Sequence, residues 1–360
     1  MRLLVGTRKG LFIYAHGSAG WSVEKRGFLG DPVAALLPDG RDGKLYAALA
    51  LGHFGNKLHR SDDGGDSWQE VTTPSYPAKP AEHPDPTPWS VEQIWSLEAG
   101  GDDQPGRIWC GTIPGGLFKS DDAGMSWSLN QALWEEPKRG LWQGGGYDWP
   151  GIHSIMVDPR NSRHITVGLS IGGVWQSQDD GATWHPKGKG LRADYVPPDI
   201  AGDPEQQDPH RIVQCTSAPD TLWMQHHNGQ WVSHDNGNTW DELLDVMPSN
   251  FGFAVAVDPH DPMRAWFVPG GKDEHRIPVN GALVVNRTDD GGRSFTSLTE
   301  GLPQQDAYDL IYRHCLDVSP EASNLAMGST TGNLWTSANG GDSFVRLSAN
   351  LPPIYCVRFG

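Results

Sequence analysis

The chain has 360 residues, of which 37% are hydrophobic, enough for a substantial buried core. Its formal net charge of −16 argues against non-specific nucleic-acid binding and against docking on an anionic membrane. No apolar run approaches the roughly 20 residues that span a bilayer, and MRLLVGTRKGLF lacks the apolar stretch and cleavage site of a secretory signal.

At the N-terminus, LLVGTRKG, LFIYAHG and GWSVEKRG read as three strands joined by tight turns. The next feature is SDDGGDSW at 61–68, polar, glycine-rich and closed by a tryptophan. It returns as SDDAGMSW at 120–127, SQDDGATW at 177–184 and SHDNGNTW at 233–240. Weaker copies are TDDGGRSF at 288–295 and SANGGDSF at 337–344. Successive copies start 59, 57, 56, 55 and 49 residues apart, the mark of one supersecondary unit repeated in register.

Each copy is preceded by strand-like runs, as in IHSIMVDP, HITVGLSIGG and VWQS before residue 177, and followed by another. Four antiparallel strands in about 50 residues is the pattern of a β-propeller blade. The chain ends in LPPIYCVRFG, a first strand with nothing after it, while the N-terminal copy lacks its first strand. The two ends therefore complete one blade, split as 1–29 plus 351–360. The expected fold is all-β: one seven-bladed propeller domain over 1–360, closed by the C-terminal strand joining the N-terminal blade.

The 45 glycines, 28 prolines and 16 tryptophans suit such a fold. Cys110, Cys215, Cys315 and Cys356 are far apart, with no CxxC pairing, and read as buried free thiols in a reducing, cytoplasmic compartment.

GTRKGLF, HSIMVDP, HRIPVNG, TDDGGRSF and the GSTTGNLW/LPP ending carry a resemblance over essentially the whole chain. The sequence resembles the BNR/Asp-box repeat propellers, which include sialidases, sortilin-type domains and photosystem II assembly factor-like proteins. It is most similar to bacterial members labelled as BNR-repeat glycosyl hydrolases. The resemblance implies a propeller and, more loosely, hydrolase-like activity. A sialidase needs three arginines, for which Arg8, Arg276 and Arg313 are available, and a Tyr–Glu nucleophile pair, which is not identifiable. True exo-sialidase activity is therefore disfavoured.

The repeated box lies between the third and fourth strands of its blade. Asp63, Asp122, Asp179, Asp235, Asp290 and Asn339 are expected to satisfy their own turns, with the aromatic residue packing between blades. Function is then sought on the opposite face, where the blade connections 72–92, 130–151, 186–210 and 301–313 are long.

Aligning the innermost strands puts Gln93, His153, Phe253 and His314 at that mouth, with Val213 in the fourth boxed blade and His210 just before its strand. The second strands bring Arg8, Lys9, His53, His226 and His227, though alternation lets only one of the last two face the channel. The connection loops add His275, Arg276, Asp306, Tyr308, Arg313 and Trp149. Seven of the 14 histidines thus collect at one mouth.

His153, His227 and His314, with Asp306 and Tyr308, are the candidate catalytic groups. Arg8, Lys9, Gln93, His210, Arg276, Arg313 and Trp149 are the candidate ligand-binding groups. No cofactor is specified, but three imidazoles from different blades suit a divalent transition metal, with His153, His227 and His314 as ligands. Glycoside hydrolysis would need two carboxyls, for which Glu92, Asp148, Asp194 and Asp306 are candidates. The leading expectation is a hydrolase or lyase acting on a small carbohydrate or acidic metabolite. The rival is a non-catalytic scaffold that binds a protein partner on the same face.

Overall fold

The computed structural model describes residues 1–360. Twenty-eight strands form seven four-stranded antiparallel sheets arranged as blades in a closed ring. The innermost strands of blades 1 to 7 are Val33–Pro38, Gln93–Ala99, Ile152–Val157, Pro209–Gln214, Gly252–Val257, Leu316–Val318 and Ile354–Phe359. In blade 7 the C-terminal strand pairs with Arg2–Thr7, which is followed by Gly10–Gly17 and Gly20–Gly27. Both ends of the chain thereby lie in one sheet, and the inner edge of Arg2–Thr7 is paired rather than open.

Position within a blade explains composition. Inner strands are covered on both faces, so GFAVAV at Gly252–Val257 is buried throughout. Outer strands are short and polar, and Asp241–Glu242 is exposed at both residues. Aromatic rings fill the wedges between blades. Trp109, Trp175, Trp223, Trp266 and Trp335 are all essentially inaccessible to solvent. All four cysteines are buried and unpaired. The one α-helix, Gln131–Trp134, is a single turn capped by the Asn130 side chain, which accepts from the Leu133 N–H. No helix is long and apolar enough to cross a membrane.

The six polar boxes form one corner repeated six times. At 61–68, the Ser61 hydroxyl donates to Asp63 Oδ1 (2.8 Å) and accepts from the Gly65 N–H (2.7 Å). Asp63 in turn accepts from the Ser67 N–H (2.9 Å) and hydroxyl (2.6 Å). The same bonds recur around Asp122, Asp179, Asp235 and Asp290. Asn339 makes the equivalent set, its Nδ2 donating to the Ser343 hydroxyl. Hydrogen bonds led by the Thr183 and Ser294 hydroxyls hold the Asp179 and Asp290 carboxyls down to about 2, so these corners stay ionised.

The corner also locks onto the preceding blade. Gly65 sits at φ +91°, and a Cβ there would meet the Ile13 side chain at 2.7 Å. Trp266 of blade 5 donates its Nε1–H to Gly340 in the corner of blade 6 (2.9 Å). Trp127 donates across the seam to Thr72, and Trp184 to the Asn130 side chain. The boxed aromatics thus bridge neighbouring blades.

The serine or threonine that opens each box is the buried hub of the corner. Ser177→Ala should strand the Gly181 N–H and cost about 1–3 kcal/mol in chemical denaturation. Ser177→Thr should recover most of that, since Thr288 fills the same place in the fifth corner. An alanine variant as stable as the parent would remove the hub role.

Candidate functional site

The face opposite the corners is shaped by a recurring β-bulge near the start of each inner strand. The ladder skips Ala34, Trp95, His153, His210, Phe253 and Tyr355 in blades 1, 2, 3, 4, 5 and 7. In blade 6, Cys315 accepts from the Gly328 N–H (2.9 Å), as its register equivalent in blade 3 pairs with Gly168, so His314 holds the seventh place. A bulged residue leaves the ladder and is re-aimed. One side chain per blade is thereby delivered to the mouth of the channel.

Two expectations change here. Val213 is not the blade 4 counterpart of His153, because the inner strand begins earlier, at Pro209, and His210 is the bulged residue. Val213 lines the opposite end of the channel. Trp95, two residues beyond Gln93, is the bulged residue of blade 2.

At the mouth lies a cavity of about 390 Å³, lined by Gln93, Trp95, Tyr147, Arg276, Tyr312, Arg313, His314 and Tyr355, with no carboxylate in its wall. Arg313 is buried, its guanidinium 5.0 Å from the centre of the Trp95 ring and 5.2 Å from that of Phe253. Its Nε and Nη2 have no hydrogen-bond partner. Burial lowers its pKa from the ordinary arginine value, the sign of a charge removed from water without full compensation. The Arg276 guanidinium lies 5.4 Å from the centre of the same Phe253 ring and is tied to Asp273 (2.6 Å).

His314 donates its Nε2–H across the channel to the backbone carbonyl of His153 (2.7 Å). That bond fixes the tautomer and leaves Nδ1 as the lone-pair nitrogen. His153 is fully buried, with its ring edge-on to Trp95 and Nδ1 beside the Ser154 hydroxyl (2.9 Å). Burial, reinforced by Arg313 beside His153 and Arg211 beside His314, drives both imidazoles well below their ordinary pKa.

His153, His227 and His314 therefore do not meet as one ligand set. His314 spends Nε2 on a carbonyl, and His227 belongs to another group. Asp208, His210 and His227 place one ligand atom each within 4.8 Å of one another. His226 is turned the other way: it is buried, its ring nitrogens lie 3.0 Å from the Asp208 and Asn228 N–H groups, and burial pushes its pKa to about 3. His227 is thus the member of the pair that faces the site. Burial opposes the charge on Asp208, yet the facing His210, with Arg313 and His226, holds its carboxyl below the ordinary range. Burial lowers the His210 imidazole from its ordinary pKa against the pull of that carboxylate.

The remaining candidates lie outside the cavity wall. Arg8 and Lys9 are exposed in the turn before Gly10–Gly17, so Arg8 does not join Arg276 and Arg313. Asp306 and Tyr308 are exposed on the connection into blade 6. Trp149 lines a separate hollow of about 360 Å³ with Asp148 and Arg139. Glu92 is exposed, and Asp194 pairs with Arg192 at 2.6 Å. No pair of these carboxyls flanks the cavity. Sequence reading passed over Asp208, although D-P-H at 208–210 puts an acid and an imidazole on one side of an extended chain.

Comparison with known proteins places the fold. No family model matches the chain. A curated relative, a probable oligoxyloglucan-reducing end-specific xyloglucanase from Neosartorya fischeri, is 28% identical over 111 residues, covering 31% of this chain and 11% of that protein. The chain thus spans about a tenth of that relative's length. An ancestral GH74 enzyme superposes with a TM-score of 0.60 at 15% identity, over 90% of this chain and 38% of that one. YCF48 bound to D1 peptide gives 0.56 at 16% identity, over 94% and 89%. A putative 6-phosphogluconolactonase from Bacteroides uniformis gives 0.62 at 12% identity, over 100% and 99%. The protein shares the propeller fold of all three.

The far end of the channel has its own cavity of about 620 Å³, where Glu98, Arg211, Asp317 and Arg358 gather from blades 2, 4, 6 and 7. Burial raises the carboxyls of both acids, Glu98 to about 7. A folded pKa above the unfolded value means that the folded chain binds more protons between the two. Glu98 therefore removes stability as pH rises from about 4.5 to about 7. Glu98→Gln should flatten the fall in melting temperature over that window. Parallel profiles for the variant and the parent would contradict a burial-driven shift.

Proposed function

We propose that the protein is an enzyme of the lyase or hydrolase type, acting on a small acidic carbohydrate or related acidic metabolite in the cavity at the mouth. The observation that carries this reading is Arg313, a buried guanidinium with two unpartnered nitrogens in a wall that holds no carboxylate. A ligand carboxylate supplies the missing acceptor, and charge-assisted bonds of this kind are among the stronger ones. Trp95, Tyr147, Tyr312 and Tyr355 offer apolar ring faces beside it, suited to the carbon face of a sugar ring.

Elimination fits these groups better than two-carboxyl hydrolysis. Arg313 neutralises the carboxylate and acidifies the adjacent C–H. His314 Nδ1 takes that proton, the C–H electron pair forms the new double bond, and the β-substituent leaves with its bonding pair. The His153 carbonyl orients His314 for this role. The incoming carboxylate raises the affinity of the imidazole for the proton it accepts.

Within this reading the six corners are BNR/Asp-box repeats, supported by their identical hydrogen bonds, and the four buried unpaired thiols support a cytoplasmic location. The fold is also shared with YCF48, whose structure holds a peptide. Docking of a protein partner on this face is the competing outcome.

The test is calorimetry with D-glucuronate and D-galacturonate against D-glucose. The parent should bind the uronates and not glucose. Arg313→Met should weaken uronate binding roughly 10- to 100-fold. His314→Gln should keep binding while abolishing release of the unsaturated product. Equal binding of glucose, no uronate binding, or an unaffected Arg313→Met variant would sink the proposal.

A further inference from the structure

We infer that Asp208, His210 and His227 form a binding site for a divalent transition metal, distinct from the three-histidine set expected from the sequence and standing apart from the carboxylate reading of Arg313. His210 Nε2 lies 3.6 Å and His227 Nδ1 3.5 Å from Asp208 Oδ2. These separations are long for hydrogen bonds. They match the edge of a tetrahedron whose ligands each stand about 2.0–2.1 Å from a central ion, an edge of roughly 3.3–3.4 Å.

Two of the three ligands, His210 and Asp208, are also aimed by a second contact on the far side. His210 donates its Nδ1–H to the Gly252 carbonyl (2.6 Å), which leaves Nε2 with its lone pair turned towards Asp208. Asp208 accepts from the Ile171 N–H through Oδ1 (3.4 Å), which leaves Oδ2 for the two imidazoles. Ile171 supplies that N–H from φ +34°, a left-handed conformation that is costly for a β-branched residue. Phe253 stacks on His210 at 4.5 Å, and Phe251 and Tyr195 stand edge-on to His227. The ligand atoms thus sit in an aromatic box, with the outer partners of His210 and Asp208 already satisfied.

Gly145 stands between the site and the cavity. Gly145 lines the cavity, and a Cβ added there would meet Asp208 Oδ1 at 3.2 Å and the Ser170 side chain at 3.1 Å. Glycine lets the backbone approach the carboxylate. Two imidazoles and one carboxylate are the donor set of catalytic zinc and non-haem iron sites, where the remaining positions take water or a ligand oxygen. A metal here would stand beside the ligand that Arg313 anchors.

The experiment uses the full chain, stripped with a chelator, and Zn²⁺ or Co²⁺ alone, with no sugar present. The parent should take up one equivalent by elemental analysis after dialysis. It should gain melting temperature with Zn²⁺ and show visible cobalt bands of low-symmetry coordination. His227→Ala, a partly exposed position that should fold normally, should lose the bound equivalent and the bands. Asp208→Asn tests the carboxylate, with folding checked by circular dichroism. His153→Ala should keep the metal, because His153 lies outside the set. No retained equivalent in the parent, or full retention in His227→Ala, overturns the site. Either result can be read without reference to uronate binding.

Discussion

The β-bulge repeated near the start of each inner strand is the constraint on which the mouth depends. A regular ladder would alternate every side chain between the two faces of its sheet, into the seams between blades. The skipped residue is released from that alternation and projects towards the channel. Its identity differs from blade to blade, and the ring reads Ala, Trp, His, His, Phe, His, Tyr. The scaffold is uniform and the chemistry is not.

The opposite face works by the reverse rule. In each corner a serine or threonine, an acid or its amide, and a glycine are all fixed by bonds within the turn and by contact with the preceding blade. Little there is free for a ligand. The two faces thus divide the labour: invariant corners hold the blades together, and long connections over the other end can change without disturbing the sheets.

Blade architecture was legible because the boxes recur in register, and closure was legible because LPPIYCVRFG supplies the strand that LLVGTRKG lacks. Much of the mouth was legible too: Gln93, Arg276, Arg313 and His314 share one cavity. The cluster of Asp208, His210 and His227 was not. Strand alignment alone cannot see the bulge, so Val213 took the place of His210, and it cannot see that a backbone carbonyl claims His314. Asp208 sits in the last residues of a long connection, where no periodicity places it. Glu98, Arg211, Asp317 and Arg358 are single charges in apolar strands of four blades, and only closure of the ring makes them neighbours.

That closure also puts a hydrogen-bonded bridge across the channel. The His153 carbonyl accepts from His314 Nε2 on one side and from Arg211 Nη1 (3.0 Å) on the other. Two donors on one carbonyl pin blades 3, 4 and 6 together at the axis. The bridge crosses the axis between the two cavities, with His314 lining the upper one and Arg211 the lower. The carboxylates of the lower cavity face Arg211 and Arg358. The orientation of His314 is therefore set by backbone at the centre of the ring, and not by the loops that cover it. Loop movement can admit or release a ligand without disturbing the nitrogen that would receive its proton.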